Sequence, residues 1–380
     1  MRPLIVGLCC AFLASCGGGS SSAPAPVATT APTPTPSPSS PTSPGVSFNY
    51  EAASAQAIAA GARAVLFLRD GALVHERYAN GGGATVPEQL ASGTKSFTCL
   101  LAAAAEDDGF LRLSDHAGDS IPPWGPGGSA PQNELKQQIT GTELIALTAG
   151  LVSTGSFGGE LNSTDSYNQA FFQPSRSAPN AATIYGPNGF QAFSALFELK
   201  TGGRYNTDGT ITGGRDGVDY LRSRVFERIG LTVSDWRRDV RGKPNFGGGA
   251  AMTARDWLRF GQLMEQDGEW AGQQIVSAAR LQRCSTYRSG AFQGYGLAFW
   301  LNRPVGDSFV PGRDLLPYTG DVSASWRTGG SMAPSAPADM YVAAGAGPTR
   351  LYILPSQNLV IARIGGSEEE DPFFRALYGT

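Results

Sequence analysis

The sequence predicts a mixed α/β (α+β) fold: one antiparallel sheet built from both ends of the chain, flanked by helices, with a mostly helical subdomain inserted. Three observations lead there. β-rich runs open the body of the chain, β-rich runs return in its last third, and helical apolar spacing dominates between them. "RAVLFLRDGALVHERYA" reads as two strands joined by Arg69-Asp70-Gly71, a hairpin signal. An apolar run from Ser92 predicts a helix ending near Gly109. "GFQAFSALFELKTGG" puts Phe190, Phe193 and Phe197 on one helical face and stops at glycines. In "MTARDWLRFGQLMEQDG", Thr253 and Asp256 suggest a cap, and Trp257, Phe260 and Met264 form a stripe. "GLAFWLN", "RLYILP" and "NLVIARIGG" restore strands, and "PFFRALY" predicts a short last helix. The expected body spans 47–380, with the helical insertion at about 112–285.

The 380 residues are 41% hydrophobic and 16% charged with net charge −3, a composition with no basic stripe to suggest nucleic acid. No apolar run approaches the ~18 residues of a spanning helix. Arg2 followed by "PLIVGLCCAFLA" reads as a secretory signal over residues 1–16. Its end, "LASC", resembles the lipobox of bacterial lipoproteins, which implies lipidation at Cys16; an ordinary cleaved signal peptide is the other reading. Residues 17–46, rich in Ser, Pro, Thr, Ala and Gly, cannot bury a core and predict a disordered tether. The expected location is the cell envelope, facing the periplasm. Gly17 stands where an aspartate would hold a lipoprotein at the inner membrane, which favours the outer one. Cys99 and Cys284 are the cysteines left in the body; they allow one disulfide or two buried thiols.

In "LASGTKSFTCLLAAAAEDDGF", Ser92 and Lys95 lie one helical turn apart, so the amine can reach back to the hydroxyl. A serine needs a base to become a nucleophile, and a buried lysine loses its charge readily enough to be one. Alone, Ser-x-x-Lys is a common accident. The chain has two histidines, His75 in a predicted strand and His116 in a loop, neither in a context suited to a Ser-His-Asp triad. So few histidines also argue against a metal site. "GGSMA" around Ser331 lacks the last glycine of a nucleophile elbow. No cofactor is expected.

Taken in order, these motifs resemble the serine β-lactamase and penicillin-binding-protein superfamily, in its class C and esterase-like branch, from about Arg63 onward. "LASGTKSF" resembles its nucleophile helix, "ITGTELIALTAGL" its next helix and turn, "IYGPNGF" its second motif and "AAGAGPTRLYILP" its third-motif strand. The resemblance implies a β-lactamase/transpeptidase-like fold with Ser92 as acylated nucleophile, Lys95 as base and Tyr185 as a proton partner. It implies an oxyanion hole from the N–H groups of Ser92 and Ala346, with Gly345 and Gly347 allowing close substrate approach. Asn188 and Arg350 are weaker substrate-contact candidates.

Two positions depart from the family pattern. Where the second motif usually reads tyrosine-x-asparagine, Pro187 holds the asparagine place and Asn188 comes one residue late. Where the third motif usually begins with lysine or histidine, Ala343 stands. Both losses remove contacts to a β-lactam while sparing the acyl-transfer core. The expected activity is therefore hydrolysis of esters or small amides through an acyl-enzyme. A β-lactamase or D-alanyl carboxypeptidase is the alternative, and a non-catalytic lipid-anchored binding protein is a further one. The expected partners are a small ester or amide and, through the anchor, a membrane.

Overall fold

The computed structural model describes residues 47–152, 164–316, 321–367 and 369–380. The signal, Cys16 and the tether lie outside the described residues. Six strands form the main sheet. They are β1 (Ala62–Arg69), β2 (Ala72–Tyr78), β3 (Trp300–Leu301), β4 (Tyr341–Gly345), β5 (Thr349–Leu354) and β6 (Leu359–Gly365). Their spatial order is β3-β4-β5-β6-β1-β2, every neighbour antiparallel, so the first two strands close onto the last four. The join is the β1–β6 pair, where Val65, Leu66 and Phe67 lie opposite Arg363, Ala362 and Ile361.

Consecutive residues of β1 and β6 are buried, because helices cover both faces of the sheet. On one face pack α1 (Tyr50–Ala59) and the C-terminal α6 (Glu370–Tyr378), whose Phe373 ring stacks on Phe67 at 6.2 Å between centroids. On the other lies α4 (Ala254–Glu265). Its Gly261 comes so near the sheet that an added Cβ would sit 2.5 Å from Val360. The N-cap Thr253 accepts from the Asp256 N–H, and Trp257, Phe260 and Met264 are all buried, as the apolar stripe predicts.

The inserted region carries α3 (Asn188–Lys200) and α5 (Ala278–Thr286). Short strand pairs within it, one of them joined by a strand from before it, were not anticipated by the helical reading. Asp235–Trp236 and Glu88–Gln89 flank Ala250–Met252 in a three-stranded sheet, and Arg204–Tyr205 pairs with Ile211–Thr212. Such two- and three-residue pairs leave no alternating pattern to detect. The nucleophile segment packs in the middle of the fold. A 3₁₀ turn, Ala91–Ser96, leads into α2 (Phe97–Asp107), and Phe97 stacks on Phe260 at 4.3 Å. Cys99 of α2 is disulfide-bonded to Cys284 of α5 across a sequence separation of 185, which settles the pairing that the sequence left open.

Candidate active site

The strand Glu88–Gln89 pairs with Met252 and Ala251, and the Leu90 N–H donates to the Ala250 carbonyl at 3.0 Å. Ala91 then takes φ +46°, a left-handed backbone that costs a non-glycine residue energy and recurs at functional turns. That bend starts the 3₁₀ turn. Where an α-helix starting at Ser92 was expected, the tighter turn has three residues per revolution, so the side chains of Ser92 and Lys95 eclipse each other. The Lys95 ammonium nitrogen, Nζ, lies 2.9 Å from Ser92 Oγ and donates to the Gly247 carbonyl at 2.5 Å. The lysine is 2% exposed, and burial lowers its pKa from the ordinary lysine value to about 7.

Gly247 and Gly248 belong to the loop before the strand Ala250–Met252. A Cβ on Gly247 would come 2.7 Å from Pro187, and one on Gly248 within 3.9 Å of the Ser92 nitrogen. Small residues therefore let this loop run directly beneath the Ser-Lys pair. In the sequence these residues are a glycine run, and nothing in it marks one of their carbonyls as the second acceptor for Lys95.

The structure brings Tyr185 to the same place. Its hydroxyl is hydrogen-bonded with Ser92, and Lys95 Nζ lies 4.9 Å from its ring centroid. Trp300 of β3 stacks on the phenol ring at 5.6 Å between centroids. Burial pushes the Tyr185 pKa up to about 12, against smaller lowering effects from the Ser92 hydrogen bond and the positive charge of Arg350. At neutral pH Tyr185 is a neutral phenol, and Lys95 is the group poised to accept a proton.

Gly345 ends β4 against the nucleophile segment, where a Cβ would fall 2.1 Å from the Leu90 carbonyl oxygen. Gly347 holds φ +62° in the turn that follows, with Ala346 between them. Two candidates, Asn188 and Arg350, differ from expectation. Asn188 starts α3 buried and donates its amide inward to the Val152 carbonyl at 2.7 Å, which makes it a tie within the protein. Arg350 is also buried, bonded to Glu370 and to backbone carbonyls, so it does not present a free cation to a substrate carboxylate. Ala343 is 0% exposed inside β4 opposite Leu351, and supplies no cation either. His75 bonds to Ser54 on the β2 side, and His116 bridges to Thr140; neither is among the partners of Ser92. Among the described residues no cluster could hold a metal, and no helix is long and apolar enough to cross a membrane.

The body that carries this serine, buried lysine and phenol matches one family over almost its whole length. The sequence profile named Beta-lactamase matches residues 49–376. The chain belongs to the beta-lactamase family. It is a serine hydrolase of that family's fold. Solved structures agree on the architecture. A Bacillus anthracis protein designated a 6-aminohexanoate-dimer hydrolase superposes with TM-score 0.61 at 16% identity, covering 85% of this chain and 78% of its own. EstCE1, a hydrolase with promiscuous acyltransferase activity, gives 0.58 at 14%, covering 87% and 97%. A penicillin-binding protein homolog from Caulobacter crescentus gives 0.58 at 16%, covering 88% and 97%. At these identities the likeness is one of fold. No curated protein sequence matches the chain significantly.

Proposed function

We propose that this member of the family hydrolyses carboxylic esters or small amides through an acyl-enzyme on Ser92. The observation that carries the reading is the buried Lys95 amine, 2.9 Å from Ser92 Oγ, with a pKa near neutrality. Neutral Lys95 takes the Ser92 hydroxyl proton as Oγ bonds to the substrate carbonyl carbon. The tetrahedral oxyanion is held by the N–H groups of Ser92 and Ala346. The intermediate collapses as the bond to the leaving alcohol breaks, and that alcohol's oxygen takes the proton from the Lys95 ammonium, with the Tyr185 phenol beside it. Water then repeats the sequence: it gives a proton to Lys95, bonds to the acyl carbon and returns Ser92 to its hydroxyl form.

Esters fit the site better than β-lactams. A carboxylate-bearing β-lactam requires a cation near the third motif and an amide donor beside the tyrosine. Ala343 is a buried methyl, Arg350 is occupied by Glu370, and Pro187 has no side-chain donor. The named activity of EstCE1 is consistent with acyl transfer on this fold. A substrate panel on the soluble body tests the reading. p-Nitrophenyl acetate or butyrate should turn over well above background, and nitrocefin weakly or not at all. Efficient nitrocefin turnover with poor ester turnover would return the chain to the β-lactamase or D-alanyl carboxypeptidase alternative. No labelling of Ser92 by a fluorophosphonate would favour the non-catalytic binding alternative.

The same proposal places the enzyme in the cell envelope, lipid-anchored through Cys16 on the 17–46 tether and facing the periplasm, with the outer membrane favoured. "LASC" and the composition of the tether support it.

A further inference from the structure

Arg350 is buried at 6% exposure, and its guanidinium bonds to a carboxylate and to backbone carbonyls of the protein. Nε donates to Glu370 Oε1 at 2.7 Å, an ion pair between β5 and the first residue of α6. One terminal nitrogen donates to the carbonyls of Gly345, Gly347 and Thr349 at 2.7, 2.8 and 3.1 Å. These carbonyls belong to the β4–β5 turn. A buried cation is tolerated when it is paired and its donors are satisfied, and here the pairing gathers one turn around one planar group.

The peptide between Gly345 and Ala346 shows what this does. A trans peptide is planar and its C=O and N–H point in opposite directions. With the Gly345 carbonyl drawn to Arg350, the Ala346 N–H is turned the other way. The Gly345 α-carbon rests against Leu90 and Gly93, the residues either side of Ala91 and Ser92. We propose that Arg350, anchored by Glu370, is a positioning residue that aims the Ala346 N–H at the oxyanion formed on Ser92, without itself touching substrate. The inference rests on the reading of Ser92 as acyl nucleophile with Ala346 N–H as its second oxyanion donor. The same guanidinium places positive charge near Tyr185, opposing the upward effect of burial on the phenol.

Steady-state kinetics with p-nitrophenyl butyrate, thermal midpoints and fluorophosphonate labelling test it on Arg350→Met, Arg350→Lys, Glu370→Gln, Ala346→Pro and the Arg350→Met/Ala346→Pro double variant. Losing one oxyanion donor costs about a hundredfold to a thousandfold in kcat. Arg350→Met is expected to lose that much in kcat with KM within about threefold of wild type. Arg350→Lys should not rescue it, because an ammonium supplies the charge without the planar fork that gathers the carbonyls. Ala346→Pro, which deletes the N–H, should lose a similar factor, and the double variant should lose little more than either single. A folded Arg350→Met with near wild-type kcat would overturn the proposal, as would rescue by Arg350→Lys or losses that multiply in the double variant. A change in KM alone would also overturn it and make Arg350 a substrate contact. If Arg350→Met does not fold, Glu370→Gln decides: a kcat loss supports positioning and an unchanged kcat refutes it. Wild-type labelling that maps to a residue other than Ser92 marks failure of the underlying reading instead.

Discussion

Burying Lys95 with its pKa drawn down to about 7 means that the folded chain binds fewer protons than the unfolded one from that pH up to about 10.5. Stability therefore rises with pH across that window, and the burial penalty is fully present below it. At pH 7 the penalty is on the order of 4 kcal/mol. Replacing the side chain by an apolar one removes that cost but orphans the Gly247 carbonyl, worth about 1–3 kcal/mol. Lys95→Met is thus expected to be more stable than wild type by about 2 kcal/mol at pH 7 and to lose that advantage toward pH 10. Its turnover should fall about a hundredfold to ten-thousandfold. Urea unfolding at the two pH values, beside an ester assay, checks both. A variant that is less stable at pH 7 would show that the amine is not desolvated as described.

At the scale of elements, two devices hold the nucleophile turn. The first is close backbone approach. Gly345→Ala would push a Cβ into the Leu90 carbonyl, and relief requires β4 and the nucleophile segment to move apart. An activity loss of about a hundredfold or more is expected from displaced oxyanion donors, read as kcat with an unchanged disulfide. The second is the union of α2 with α5. Cys99–Cys284 crosses it, Arg280 pairs with Asp107 at 2.7 Å, and Arg283 pairs with Glu106. Reducing the bond, or Cys99→Ala with Cys284→Ala, should cost about 2–5 kcal/mol, seen as a lower thermal midpoint with and without reductant. The strands and helices that position these devices were legible because their apolar periodicity is long: β1, β6, α3 and α4 each bury a continuous face. The 3₁₀ start at Ala91 was not, since its φ is set by the packing of Leu90 against Ala250 and not by local propensity. Nor was the strut role of Arg350, because its partner Glu370 lies twenty residues on, across a strand and a turn. Residue type announced a cation; only the fold shows where it is spent.

For the molecule as a whole, family membership fixes the scaffold and does not fix the substrate. Closing the sheet with strands from both ends sets the β4 edge beside the nucleophile turn, while the inserted region brings Tyr185 and Gly247 to its other sides. Ser92, Lys95 and Tyr185 could be singled out in the sequence because their motifs are short and ordered. Asn188 could not be assigned correctly, because a one-residue offset after Pro187 turns its amide inward to Val152. If the tether and anchor operate as proposed, Cys16→Ser should leave the membrane fraction or accumulate as unprocessed precursor; wild-type fractionation of that variant would contradict the lipoprotein reading. The central claim is acylation of Ser92 by the substrate, with neutral Lys95 as the base that takes the hydroxyl proton. It is tested most directly by the rate of acyl-adduct formation from p-nitrophenyl butyrate across pH 5–9, followed by intact mass and mapped by peptide digestion. The account predicts an adduct on Ser92 whose rate rises with pH through a midpoint near 7 and collapses in Lys95→Ala. An adduct mapped elsewhere, a flat pH profile, or a Lys95→Ala variant that acylates at the wild-type rate would contradict it.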